Sequence, residues 1–166
     1  GVTSEGTYGG LNWKSSNGED RFRRAIYTFS KRTAPYAMFS TFDAPSGESC
    51  LARREASNTP LQALTLLNDI VIMEAAQGFA KTITTNQKTL DENLHLVFRS
   101  VLTRLASNEE LTLIRHFYTT TLVRLKQNPA AIVKITGSDQ EKSIEQAAWV
   151  LTVRSLLNLD EALVKR

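Results

Sequence analysis

Between Phe42 and Leu64 the sequence gathers Asp43, Glu48, Cys50, Arg53, Arg54, Glu55 and Asn58 into one non-repetitive segment, with two prolines and a glycine among them. Three chemistries are open to such a set. Asp43 and Glu48 are the kind of carboxylate pair that divides acid and base roles in glycoside hydrolysis. Cys50 is the single thiol, and a guanidinium one helical turn on, from Arg53 or Arg54, would favour its thiolate. The third is structural. Planar guanidinium forks suit bidentate carboxylate contacts, and a loop lying on helices must satisfy its own backbone groups. The structural reading leads: Arg53 and Arg54 are expected to meet Asp43, Glu48 and Glu55, with Asn58 at the end of the network. Carboxylate pairs at this separation in loops arise by chance, and Cys50 has no histidine near it in sequence.

The remaining residues offer less chemistry. His95 and His116 fall in separate helical patterns, and neither has a second ligand three or four residues on. A zinc site needs three or four converging ligands, so both read as surface or packing residues. There is no G-x-S-x-G elbow, no phosphate-cradling glycine loop and no H-E-x-x-H. One cysteine excludes an intrachain disulfide and a C-x-x-C-H haem attachment. No metal or other cofactor is therefore expected in this stretch. Net charge is only +3 and evenly spread, with eight Lys/Arg against six Asp/Glu in residues 1–56 and twelve against eleven thereafter. A nucleic-acid binder clusters its charge, so no nucleic-acid partner is expected. No apolar run approaches the length of a membrane span.

The elements that must position these groups read as helices. At 166 residues, 42% hydrophobic and 22% charged, the chain suits a single helical domain that buries roughly 70% of its unfolded surface. Residues 1–18, rich in Gly, Ser, Thr and Asn, form an expected extended arm anchored by Tyr8, Leu11 and Trp13. Phe22, Ala25, Ile26 and Phe29 recur at helical spacing, which predicts a helix from Glu19 that stops near Thr33 before Pro35. Residues 34–47 are expected to be extended or irregular. Thr59-Pro60-Leu61-Gln62 combines an N-cap, a first-turn proline and a capping-box partner. The helix it opens should bury Leu61, Leu64 and Leu67, and Asn68-Asp69 should cap another carrying Ile72, Ala75, Ala76, Phe79 and Ile83.

After a polar linker at 84–89, Leu90, Leu94, Val97, Phe98, Val101 and Leu105 mark a further helix. Ser107 with Glu110 repeats the capping box before Leu111, Ile114, Phe117, Tyr118, Leu122 and Leu125. A short segment, Ala130 to Ile135, stops at Gly137, and Ile144, Ala147, Ala148, Trp149, Leu151, Val153 and Leu156 define the last long helix, followed by a short turn at Asn158-Leu159-Asp160-Glu161. No stretch alternates as a strand would. The expected fold is all-α, an irregular bundle of about five to seven helices.

These pieces also resemble a family. Gly18-Glu19-Asp20-Arg21-Phe22-Arg23-Arg24, Lys31-Arg32-Thr33-Ala34-Pro35, Thr41-Phe42-Asp43-Ala44-Pro45-Ser46, Cys50 with Arg53-Arg54, and Asn58-Thr59-Pro60-Leu61-Gln62-Ala63-Leu64 with Leu66-Leu67-Asn68-Asp69 are similar to the planctomycete-type PSD-one domain (domain of unknown function 1553). So are Ala147-Ala148-Trp149 and Leu156-Leu157-Asn158-Leu159-Asp160-Glu161. Ser30, Gly47 and Ile70 depart from the usual pattern. The resemblance carries no catalytic residue. It implies a C-terminal fragment of a large exported protein, periplasmic or extracellular, whose upstream part holds a cytochrome-c-like haem domain and the export signal. The expected role is a non-catalytic structural or interaction module that meets upstream domains of its own protein and a polysaccharide or protein partner. The alternative is a hydrolase of extracellular polysaccharide with its site around Asp43, Glu48 and Cys50.

Overall fold

Helices make up 78% of the described residues in the computed structural model, and no strand occurs among them. Described are residues 18–28, 36–45, 50, 52–53, 57–86, 88–137 and 144–163. Two short 3₁₀ turns, Gly18–Phe22 and Ala25–Tyr27, precede α1 (Ala37–Thr41), α2 (Pro60–Asn68), α3 (Ile70–Thr85), α4 (Leu90–Leu102), α5 (Asn108–Gln127), α6 (Pro129–Thr136), α7 (Ile144–Leu157) and α8 (Asp160–Leu163). Contacts divide the chain into two compact units, Gly1–Gln62 and Ala63–Arg166. The all-α expectation holds, with six of the helices at least seven residues long. The expected arm lies outside the described residues except for Gly18.

In the first unit the amphipathic helix expected from Glu19 does not form over the described residues 19–28; its expected last part, 29–33, lies outside the described residues. Arg24 sits in extended backbone (φ −60°, ψ 150°) and separates the two 3₁₀ turns. The first of them is closed by an Arg23–Asp20 ion pair at 2.8 Å. An amphipathic stripe drives helix formation only where it is buried, and here Phe22 is 54%, Ile26 82% and Tyr27 63% exposed. Residues 37–41, expected to be irregular, form the single turn and a half of α1.

The caps of the later helices follow the sequence signals closely. Thr59 and Gln62 exchange capping-box bonds at the start of α2, and Ser107 and Glu110 do the same for α5. Thr89 with Glu92 makes a further box at α4; its T-x-x-E signature lies at the edge of what reads as a polar linker. Asp69 accepts from the Val71 and Ile72 amides at 2.8 and 3.0 Å, so the break between α2 and α3 is real. The stripe expected on α2 is rotated. Leu61, Leu64 and Leu67 are 59%, 57% and 41% exposed, while Gln62 and Leu66 are buried. Positions four apart share a helix face, and the hydrogen bonds of Gln62 choose which face that is. On α3 the buried positions are Ala76, Ala80 and Ile83, with Ala75 turned outward.

The second unit is organised by α7, which touches each of α3, α4, α5, α6 and α8. Eight of its fourteen residues are buried, the all-round pattern of a helix enclosed by others. Ala147 and Ala148, fully covered, let neighbouring backbones approach. Trp149 is 1% exposed, its ring centroid 4.5 Å from that of Tyr118 on α5. Leu94, Val97, Phe98, Ile114, Leu125, Ile132 and Val153 complete the same core. Arg154 of α7 also donates to the Leu67 carbonyl at the end of α2. At the end of α6, Gly137 adopts φ +68° and a side chain there would meet the Gln77 amide at 3.0 Å, the amide that donates to Ile135 at 2.8 Å.

Two further expectations fail locally. Leu105 is 70% exposed because α4 ends at Leu102 and Thr103 turns left-handed (φ 60°, ψ 15°), taking Leu105 off the helical face. Phe117 is 40% exposed at the rim of a groove instead of facing inward. A β-branched residue in left-handed backbone is strained, and glycine adopts that region freely. Thr103→Gly is expected to raise the unfolding free energy by about 1 kcal/mol, measured by urea denaturation. Trp149→Ala is expected to lower it by about 3–5 kcal/mol and to remove the near-ultraviolet signal of the packed ring pair.

Candidate functional site

The carboxylate at the head of the chemistry-bearing segment is held by its backbone before any side chain touches it. Asp43 follows α1 with φ +53°, a region that aspartate tolerates better than most residues. The left-handed step brings the Ala44 amide to the Phe39 carbonyl at 2.8 Å, a bond that closes helix C-termini of the Schellman type. Asp43 Oδ2 then accepts the Ser57 amide and the Ser57 hydroxyl, both at 2.7 Å. Gln62 stands over the same oxygen. Its Nε2 donates to the Thr41 carbonyl at 2.9 Å and to Ser57 Oγ at 3.0 Å, and reaches Asp43 Oδ2 at 3.5 Å. Its Oε1 accepts the Thr59 amide at 3.1 Å.

Gln62 is only 4% exposed, so it serves at once as capping-box partner of α2 and as tie to the end of α1. Leaving such a buried amide unsatisfied costs about 1–3 kcal/mol. The signal for the first role is plain in Thr59-x-x-Gln62; nothing in the sequence spacing announces the second.

Of the other expected site residues, Cys50, Arg53 and Asn58 are described, and no described bond joins them to this carboxylate. Cys50 is a free, exposed thiol, and Arg53 and Asn58 are exposed as well. Among the described residues no ion pair joins Arg53 to Asp43; the partners of Asp43 are Ser57 and Gln62. Glu48, Arg54 and Glu55 lie outside the described residues. His95 and His116 are both exposed. Among the described residues no group of three or more His, Cys, Asp and Glu is placed to hold a metal ion. No described helix is long and apolar enough to cross a membrane.

A second cluster, unforeseen in the sequence, lies in the Ala63–Arg166 unit. Directly after the strained Thr103, Arg104 forks onto Glu110 (Nη1–Oε2 2.9 Å, Nη2–Oε1 2.6 Å) and onto Glu161 (Nε–Oε1 2.5 Å, Nη2–Oε2 2.8 Å). Its guanidinium carbon lies 5.0 Å from the centre of the Phe98 ring. Glu110 also receives the Ser107 amide at 2.8 Å. Arg104, and then Ser107, hold the Glu110 carboxyl down at about 2. Glu161 is lowered mainly by the same arginine, and Arg104 is raised by Glu110 and then by Glu161.

Beside this clamp opens a groove of about 260 Å³, lined chiefly by Phe98, Leu102, Leu113, Ile114, Phe117 and Leu156. Glu110 was legible as a helix cap, and Glu161 only as part of a final turn. Their meeting at Arg104 depends on where α8 comes to rest against α4 and α7.

Over residues 4–118 the chain matches the PSD1 family, described as a protein of unknown function (DUF1553). It belongs to that family. No curated protein and no solved structure matches it. The matched span includes Asp43, Ser57 and Gln62 and one wall of the groove, and stops at Tyr118 before α7 and α8.

Ser57's hydroxyl, followed by its amide, keeps the Asp43 carboxyl below the ordinary aspartate range, with Gln62 adding to this and partial burial opposing it. A carboxyl that is more acidic folded than unfolded stabilises above its unfolded value near 3.9, and that stability is lost as pH falls through the folded value. The stability advantage of the wild type over Asp43→Asn, measured by urea unfolding across a pH series, is expected to be full near neutrality and to shrink below about pH 4. Faster hydrogen exchange at the Ser57 amide in the variant would mark the lost bond.

Proposed function

We propose that this chain is a non-catalytic structural or interaction module of a larger exported bacterial protein. The observation that carries the reading is the commitment of Asp43. The one described carboxylate of the chemistry-bearing segment holds donors from Ser57 and Gln62 on its Oδ2, and those bonds fasten the end of α1 to the start of α2. A carboxyl serving as general acid near neutral pH is held above its ordinary value, by burial or by a like charge; Asp43 is shifted the other way. Cys50, open to solvent, has no described base beside it.

The wider setting comes from the family resemblance. In that setting the module ends an exported protein, periplasmic or extracellular, in which a haem c domain lies upstream, and it meets those upstream domains together with a protein or polysaccharide partner. The test uses the full chain. Incubated with a panel of extracellular polysaccharides and followed by reducing-end release, it is expected to give no more product than Asp43→Asn or Cys50→Ser. Sustained release by the wild type that either substitution abolishes, with helicity unchanged by circular dichroism, would overturn the reading.

A further inference from the structure

We draw no further inference here: the strongest candidate, the apolar groove lined by α4, α5 and α7 beside the Arg104 clamp, carries none, because Arg104 is committed to Glu110 and Glu161 and nothing in the structure shows what covers the apolar face.

Discussion

A helix buried over most of its circumference constrains the helices packed around it. Because α7 buries small residues, an indole and branched aliphatics on successive faces, each neighbour must offer it a complementary apolar surface. The neighbours therefore become amphipathic in the usual way, with Leu94, Val97 and Phe98 of α4, and Ile114, Tyr118 and Leu125 of α5, turned toward one core. Close-packed interiors transmit changes of even a methylene. The positions of α4, α5 and α8 around α7 are thus fixed well enough to hold a three-residue ion cluster at its outer edge. The Arg104 clamp is a consequence of that packing. Exposed ion pairs contribute little to stability, and Arg104, at 41% side-chain exposure, is better placed to shape the mouth of the groove than to hold the helices together.

The Gly1–Gln62 unit works by a different economy. Its described part has few buried apolar side chains, and order comes from hydrogen bonds converging on one carboxylate and one buried amide. Asp43 accepts what would otherwise be an orphan amide at Ser57, and Gln62 satisfies Thr59 while reaching back to Thr41. Each bond is worth only about 0.5–1.5 kcal/mol net, but breaking one strands a partner at greater cost. That asymmetry makes such a cluster cooperative. It also accounts for the rotation of α2: once Gln62 is fixed inward, position 66 follows it, and Leu61, Leu64 and Leu67 fall on the other side.

Local signals were legible where a short pattern decides the outcome. Two S/T-x-x-E/Q boxes, at Thr59 and Ser107, the Asp69 cap and Gly137 each depend on two or three neighbouring residues, and the helices they delimit appear where the periodicity places them. The third box, Thr89 with Glu92, was hidden at the edge of a polar stretch. Legibility failed where burial had to come from elsewhere. The stripe of Phe22, Ala25 and Ile26 has helical spacing, yet spacing supplies no surface to cover it, and the chain settles into 3₁₀ turns. The same holds for α2, whose leucines outnumber the one glutamine that sets its rotation. Of the candidate site, Asp43 was found for its chemical type, but its described partners are a serine and a glutamine with no charge to advertise them. Arg104 and Glu161 are 57 residues apart, beyond the reach of any spacing rule.

The two carboxylate clusters have one electrostatic feature in common. Catalytic carboxylates work as pairs whose environments drive their proton affinities apart, one raised to donate and one left free to accept. Here the shifts run in a single direction: Asp43, Glu110 and Glu161 are all made stronger acids by donors that hold the ionised form. A carboxylate whose ionised form is held by such donors is a poor proton donor at neutral pH. It is a good fastener and, on an exposed rim, a good fixed charge. The described acidic residues of the two clusters mark joints, and an apolar groove opens beside one of them.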